Sequence, residues 1–192
     1  MRRLFYYINI MVATAVLAAC GSDDGGGSVP RRRAYPRLPE YGEAYTPAPG
    51  AAARFYVNSR AELSVDSGGR WITVRYPLYD AEVYVTVTPA ASQHELKAVL
   101  DNRRERMALN IGGAQATTAH VVSPDSFVGV IVEAPGSVMP VQFVATDGVE
   151  CVVSGAARLN INADAPYDSV SPVVRTLSRD ITFALKNLSL DD

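Results

Sequence analysis

The sequence predicts a single α+β domain, an antiparallel β-sheet of about six to eight strands with two helices packed on it. Short runs rich in β-branched and aromatic residues fall into two groups, and a helical segment follows each group. In the most regular of these runs polar residues recur at every second position, which is typical of an antiparallel sheet with one wetter face. Strands gathered in runs, with helices between them, indicate α+β rather than a parallel α/β sheet.

The first group of strands begins after residue 53. Its runs occupy residues 54–57, 61–65, 71–76 and 81–88. Turn residues at 66–69 and at 77–80 separate neighbouring runs. We therefore expect consecutive strands here to be joined by short turns.

A helix is predicted over residues 92–110, where the apolar period changes to that of a helix. Ser92 followed by Glu95 forms a capping box at its start. Gly112 and Gly113 supply the left-handed residue that commonly ends a helix. The apolar residues that define the period are Leu96, Val99, Leu100, Met107 and Ile111.

The second group of strands is followed by a helix that runs to the C-terminus. Asp147-Gly148 predicts a tight hairpin turn within the group. Asp168 or Ser171 is expected to cap the helix, and Pro172 fits a first-turn position better in the second case. The strands occupy residues 117–122, 127–133, 141–145 and 149–159, and the apolar helix face consists of Val170, Val173, Val174, Leu177, Ile181, Leu185 and Leu188.

Residues 1–19 have the layout of a secretory signal peptide. Arg2 and Arg3 precede a mostly apolar stretch, which is too short to cross a bilayer core of roughly 30 Å as a permanent helix. The following phrase, Leu-Ala-Ala-Cys at 17–20, closely matches the bacterial lipobox, in which the cysteine thiol carries a diacylglycerol and becomes the first residue. The alternative is an ordinary signal with an incidental cysteine. We expect lipidation at Cys20, with two or three acyl chains providing a firm anchor.

Residues 20–50 are predicted to be the lipidated cysteine and a Gly- and Pro-rich tether, and residues 51–192 the globular domain. Within the tether, three consecutive arginines at 31–33 are followed by Tyr35 and Arg37. This basic, aromatic stretch could contact anionic lipid headgroups, or it could pack along its own domain. Tyr35 and Arg37 are therefore candidate partner-binding residues.

Charge and cysteine content exclude several classes of protein. The chain has 18 Lys and Arg against 20 Asp and Glu, and the predicted signal removes two arginines but no acid. Nucleic-acid phosphates require a basic face, so no nucleic-acid partner is expected. After Cys20 only Cys151 remains. One thiol cannot form an internal disulfide, so the fold must be held by its core.

The sequence contains no recognisable catalytic or metal-binding motif. His94 and His120 are the only histidines, and no serine lies in a Gly-x-Ser-x-Gly context. These histidines and one cysteine give no zinc spacing, and no glycine-rich phosphate loop follows a strand. Cys151 is most simply a small strand hydrophobe. We therefore expect a protein without enzymatic activity, metal or cofactor.

Aromatic residues provide the remaining candidates for partner binding. Tyr76, Tyr79 and Tyr84 are expected near one sheet edge, and Tyr167 and Asp168 lie at the start of the last helix. Exposed aromatics suit a protein interface, while core or turn roles are the competing interpretation for each residue. A concave pocket lined by the first three tyrosines would favour binding of a small ligand or glycan.

Several phrases occur in a characteristic order along the chain. They are Pro-Arg-Arg-Arg-Ala-Tyr-Pro-Arg-Leu at 30–38, a Trp-to-Tyr-Pro phrase at 71–77, a strand at 81–86, Gln-Phe-Val-Ala-Thr-Asp at 142–147, Gly155, Pro-Tyr-Asp-Ser-Val-Ser-Pro at 166–172 and Arg-Asp-Ile at 179–181. Together they resemble the gliding-motility-associated lipoprotein GldD family of Bacteroidetes. The basic arm differs from that pattern in having Arg where the family has Lys.

This resemblance implies a membrane-associated lipoprotein required for gliding and connected with the type IX secretion machinery. It brings no catalytic residues to this chain. The order of elements is also similar to the PsbP/Mog1 type of αβα sandwich, which implies nothing about function. We expect a non-enzymatic component or assembly factor that contacts envelope proteins of the machinery.

Two other functions remain open at this point. One is a small-ligand or glycan-binding envelope lipoprotein, and the other is an enzyme, which would need His120 or Asp168 in a cleft with a shifted pKa. The location is also open, because Ser22-Asp23-Asp24 is similar to the acidic export signal of surface lipoproteins. Two acids in a short tether also arise by chance, and a periplasm-facing anchor is favoured over the cell surface.

Overall fold

A seven-stranded antiparallel sheet organises residues 39–160 and 167–190, which are the residues that the computed structural model describes. The chain enters the sheet at one edge and crosses to its middle. It later returns from the opposite edge to the middle, where the fifth and ninth strands along the chain pair over nine positions. In spatial order the strands are β3 (Glu62–Val65), β4 (Trp71–Tyr76), β5 (Ala81–Pro89), β9 (Cys151–Leu159), β8 (Val141–Thr146), β7 (Val128–Glu133) and β6 (Thr117–Val122).

Two helices cover the two faces of this sheet. Helix α1 (Gln93–Ile111) packs on one face through Leu96 and Met107, and helix α2 (Tyr167–Lys186) packs on the other through a row of apolar residues that includes Leu177. A small separate sheet is formed by β1 (Tyr45–Pro47) and β2 (Tyr56–Asn58), and a short 3₁₀ helix (Pro77–Tyr79) joins β4 to β5. The predicted α+β class with an antiparallel sheet and two helices is confirmed.

Side-chain alternation along the strands divides the core into two layers of unequal size. In β8, Phe143 faces α2 and Val144 faces α1, and in β9 Val153 and Val152 divide in the same way. The layer under α2 contains most of the buried apolar residues, whereas few buried residues lie under α1. The core that holds the fold together therefore lies mainly between the sheet and α2.

The ends of α1 follow the prediction from its sequence. The Ser92 hydroxyl accepts the Glu95 N–H at 3.2 Å, and the Glu95 carboxylate accepts the Ala91 N–H at 2.8 Å. Gly112 takes the left-handed conformation, with φ of 57°, directly after the helix. These bonds satisfy backbone groups that a helix end leaves without partners.

Two local features differ from the prediction. The connection between β8 and β9 is longer than a tight hairpin turn, because the Asp147 carboxylate accepts the N–H groups of Val149, Glu150 and Cys151 at 2.9 to 3.1 Å and stabilises a wider loop. Helix α2 begins at Tyr167, so that Asp168 and Ser171 lie within the helix and do not precede it.

Part of the segment assigned to the tether belongs to the domain. Tyr41 is only 2% exposed, and β1 pairs with β2 in an antiparallel register. A three-residue strand is too short to show alternation, and its Pro- and Gly-rich surroundings resemble a linker, so local sequence does not reveal it. The ordered domain extends at least ten residues before residue 51, the start expected from sequence, as its described part begins at residue 39.

Gly155 in β9 has no room for a side chain. A Cβ atom there would lie 2.3 Å from the Tyr84 carbonyl oxygen and 2.4 Å from Cζ of Phe143. The Phe143 ring occupies the space above the Gly155 backbone and belongs to the core under α2. Glycine at this position therefore lets an aromatic ring pack directly on the central strand.

We expect Gly155→Ala to lower the free energy of unfolding by about 1–3 kcal/mol or more, because either the ring or strand β5 must move. Urea denaturation of the wild-type and variant domains measures this difference. Gly42→Ala is the matched control, since a Cβ atom at Gly42 meets nothing within 4 Å. Equal stability of the Gly155 variant and wild type would contradict the packing described.

Candidate functional site

A buried carboxylate on α2 holds the N-terminal part of the domain in place. Asp180 is 4% exposed. It accepts the hydroxyl of Tyr45 from β1 at 2.9 Å, the hydroxyl of Tyr76 from β4 at 3.2 Å and the side-chain amide of Asn58 from β2 at 3.1 Å. Both sheets and α2 therefore meet at one side chain, and these residues form the Asp180 cluster.

The neighbouring Arg179 balances the buried charge and reaches further along the N-terminal segment. Its guanidinium lies 3.0 Å from the Asp180 carboxylate and donates to the Tyr41 carbonyl oxygen at 3.0 Å. It also contacts the exposed carboxylate of Glu43 at 3.3 Å. A buried carboxylate is tolerated only when it is paired and hydrogen-bonded, and both conditions are met here.

The Asp180 cluster keeps its tyrosines protonated. The pKa of Tyr45 is raised to about 12, mainly by burial and secondly by the hydrogen bond to Asp180. Burial and the Asp180 charge also raise the pKa of Tyr76. Both phenols therefore remain hydrogen-bond donors at any physiological pH.

Tyr41 completes this region as an aromatic centre. Its ring lies edge-on to Tyr76 and Tyr79, with centroids 5.0 and 4.9 Å away, and its hydroxyl accepts the Leu78 N–H at 3.1 Å. The Arg60 guanidinium lies 5.6 Å from the ring centroid. Such aromatic pairs contribute about 0.5–1.5 kcal/mol beyond their buried area.

The three tyrosines that could have lined a ligand pocket lie apart from one another in the structure. Tyr76 and Tyr79 are 3% and 8% exposed and lie in the core under α2. Tyr84 lies on the opposite face of the sheet, beside α1, where its hydroxyl donates to Glu82. Because the three tyrosines lie on two faces of the sheet, they line no common pocket, and the condition that would favour a glycan or small ligand there is not met.

The remaining predicted site residues lie at or beyond the limits of the described structure. Cys20, Tyr35 and Arg37 lie outside the described residues. Tyr167 and Asp168 occupy the first turn of α2, but their side chains are not among those described. None of these five candidates is tested by the geometry.

The two histidines lie on different elements of the described structure, and Cys151 is buried in a third. His94 and His120 are both exposed, one on α1 and one on β6. Within residues 39–160 and 167–190, no three His, Cys, Asp or Glu side chains are placed to hold a metal ion. Burial raises the pKa of Cys151 to about 11, which leaves its thiol protonated and unreactive at neutral pH.

The open edge of the sheet is a feature that the sequence analysis did not single out. Among the described strands, β6 pairs with β7 alone, and its exposed residues include Thr118, His120 and Val122. The strand contains neither Lys, Glu nor Pro, and its register with β7 is continuous without a bulge. Natural sheets usually protect an edge with one of these devices. The lack of charged residues between positions 117 and 122 is the sequence feature that could have revealed this open edge.

Hydrogen-bonded and non-hydrogen-bonded pairs alternate between β6 and β7, and this alternation shows which backbone groups of β6 point away from the sheet. The Ser123 N–H donates to the Phe127 carbonyl at 2.9 Å, so bonded pairs recur at every second residue along β6 and β7. Ala119 and Val121 therefore bond to β7, whereas the N–H and C=O groups of Thr118, His120 and Val122 point away from the sheet. These three residues, with Val128 beside Val122 on β7, form the open edge.

The opposite edge of the sheet is much less accessible to a partner strand. Strand β3 has four residues and begins with the charged Glu62. Val122 and Val128, by contrast, are 64% and 55% exposed and lie directly opposite each other in the register. The two edge strands therefore differ in length and charge, and β6 is the one better suited to pairing with a partner strand.

Fold and site together define a class of protein: a small antiparallel α+β domain whose N-terminal segment is fastened to its last helix by a buried carboxylate. The model of a known family, described as gliding motility lipoprotein GldD, matches residues 26–189. The chain belongs to this family, which makes it a lipoprotein of gliding motility and places it in the cell envelope. The resemblance carried by the phrases from the basic arm to Arg179 and Asp180 is thereby confirmed.

Comparison with solved structures finds a solution structure of cyanobacterial PsbP (CyanoP) from Synechocystis sp. PCC 6803. The match has a TM-score of 0.41 and 11% sequence identity, and it covers 77% of this chain and 95% of that chain. A search of curated proteins finds no match. Within the described residues, no helix has the length and hydropathy needed to cross a bilayer.

We expect Asp180→Asn to lower the free energy of unfolding by about 3 kcal/mol or more, because the amide cannot pair with Arg179 and turns N–H groups toward other donors. Amide hydrogen exchange at residues 41–46 should accelerate more than exchange in the central strands. Glu43→Gln is the control: the Glu43 side chain is 72% exposed, and its loss should cost at most about 1 kcal/mol. Equal effects of the two substitutions would contradict the role assigned to Asp180.

Proposed function

We propose that this protein is a lipid-anchored, non-enzymatic component or assembly factor of the gliding motility and type IX secretion machinery. It acts by contact with other envelope proteins, and a periplasm-facing anchor is favoured. The observation that carries the proposal is the open edge formed by Thr118, His120, Val122 and Val128. Membership in a gliding motility lipoprotein family supports the cellular setting.

The open edge favours one kind of contact, the addition of a strand from a partner. Its outward N–H and C=O groups are spaced for pairing with an extended segment, and main-chain hydrogen bonds would supply much of the affinity. The open edge contains no Asp, Glu, Lys or Arg, so the partner segment should be β-branched and uncharged. Val122 and Val128 offer an apolar contact for its side chains.

The described part of the structure supports contact more than catalysis. The histidines are exposed and isolated, Cys151 is buried, and the strongest polar cluster is used to hold β1, β2 and α2 together. The Asp180 cluster has its acceptor positions occupied by protein donors, which leaves little capacity for a substrate. A role in binding and assembly agrees with these features.

The anchor is proposed to be a lipidated Cys20 at the end of the signal peptide. We expect Cys20→Ala to prevent lipidation, so that the protein leaves the membrane fraction or accumulates with its signal uncleaved. Fractionation of cells with labelled fatty acid measures both outcomes. Cys151→Ala, which changes the other cysteine, should leave labelling and membrane association unchanged. Membrane association and processing that survive Cys20→Ala would contradict the anchor.

We expect His120→Pro to abolish both surface spreading and cargo secretion while the protein remains folded. The His120 N–H points away from β7, so proline removes an outward donor without breaking a bond inside the sheet. Spreading on agar and secreted protein are measured in a strain that produces the variant at wild-type level, and urea denaturation should show a change within about 1 kcal/mol.

His120→Gln is the matched variant for this experiment. It keeps the backbone N–H and removes the imidazole, so it should support normal spreading and secretion. Normal function of the proline variant would contradict strand addition at β6. Loss of function in the glutamine variant would instead indicate chemistry of the imidazole, as the enzymatic alternative requires.

A further inference from the structure

A polar cleft lies between α1 and the face of the sheet opposite to α2. Its volume is about 170 Å³. This is room for several water molecules, each of which occupies about 30 Å³ in the liquid. The polar residues that line it are Arg103, Arg106 and Asn110 from α1 and Tyr84, Thr86, Gln142 and Ser154 from the sheet.

Arg103 has a buried donor without an acceptor. Its Nε atom is inaccessible to solvent and has no hydrogen-bond partner among the described residues. A terminal nitrogen of the same guanidinium makes one long bond, 3.4 Å, to the Thr88 hydroxyl. A charged donor that is buried without a partner costs about 1–3 kcal/mol or more, so such groups in native proteins generally meet a ligand, an ion or water.

The charge in the cleft has one sign. Arg103 and Arg106 line it, and no carboxylate is among its lining residues. The nearby Glu82 is occupied by the Tyr84 hydroxyl and by Arg75, whose Nε lies 3.2 Å from it. The cleft therefore has positive charge that the surrounding protein does not neutralise.

The floor of the cleft is held in place by neutral side chains. Gln142 is 1% exposed, accepts the Asn110 amide at 3.0 Å and donates to the Met107 carbonyl at 3.4 Å. These bonds tie α1 to strand β8. The arginines consequently project from a fixed helix over a fixed strand, which is the kind of preorganisation that a binding site needs.

We infer that this cleft binds a small oxyanion, a carboxylate or phosphate group, with Arg103 and Arg106 as its charged ligands. A guanidinium presents a planar fork of N–H donors that matches both groups. The site lies on the α1 face and is separate from the open edge at β6 and from the Asp180 cluster. The inference does not rest on the proposed assembly role.

The test is an NMR titration of the full mature chain with sodium phosphate in one arm and sodium acetate in the other, at an ionic strength held constant with sodium chloride. Saturable shifts of the Arg103 Nε–H resonance are expected in at least one arm. A response to phosphate alone assigns a phosphate site, a response to acetate alone assigns a carboxylate site, and both together assign a general oxyanion site.

Arg103→Gln should weaken this binding at least about tenfold, as expected for loss of a charged hydrogen bond. Binding by that variant is followed through backbone resonances of α1 and β8. Arg104→Gln makes the same change in charge one residue later, at an exposed position that does not line the cleft, and should leave the affinity unchanged. If Arg103→Gln does not fold, Arg106→Gln takes its place. No saturable shift in either arm, or equal weakening by Arg104→Gln, would overturn the inference.

Discussion

The Asp180 carboxylate joins parts of the chain that no continuous secondary structure connects. It lies near the middle of α2 and accepts donors from β1, β2 and β4, while Arg179 beside it holds the Tyr41 backbone. Without a charged acceptor at this point, several buried donors would have no partner at once. The N-terminal part of the described structure is therefore held against the last helix of the domain.

The two faces of the sheet differ in the layer that covers them. Under α2, alternating strand residues and one helix face form a continuous apolar core, and Gly155 lets Phe143 pack closely on the central strand. Under α1 the apolar layer is small and gives way to the cleft of Arg103 and Arg106. Stability comes mainly from one face, which leaves the other free to carry a polar cleft.

The edges of the sheet differ for a topological reason. The chain returns from α1 into β6 at the far edge and then builds inward to β9, so the first strand of the second group is left without an outer neighbour among the described strands. Its uncharged sequence keeps that edge open to an extended partner. Such a surface is consistent with the proposed role by contact, and family membership shows that the chain is a gliding motility lipoprotein.

Local patterns in the sequence were sufficient to predict the features that depend on residues close to one another along the chain. Alternation and helical period located the strands and α1, Ser92 and Gly112 marked its ends, and ordered short phrases identified the family. Contacts between distant residues could not be obtained in this way, because periodicity carries no information on them. Tyr45 and Asp180 are 135 residues apart, and the separation of Tyr76 from Tyr84 on two faces follows from the register of β4 with β5. The open edge likewise required the strand order, which long-range pairing alone establishes.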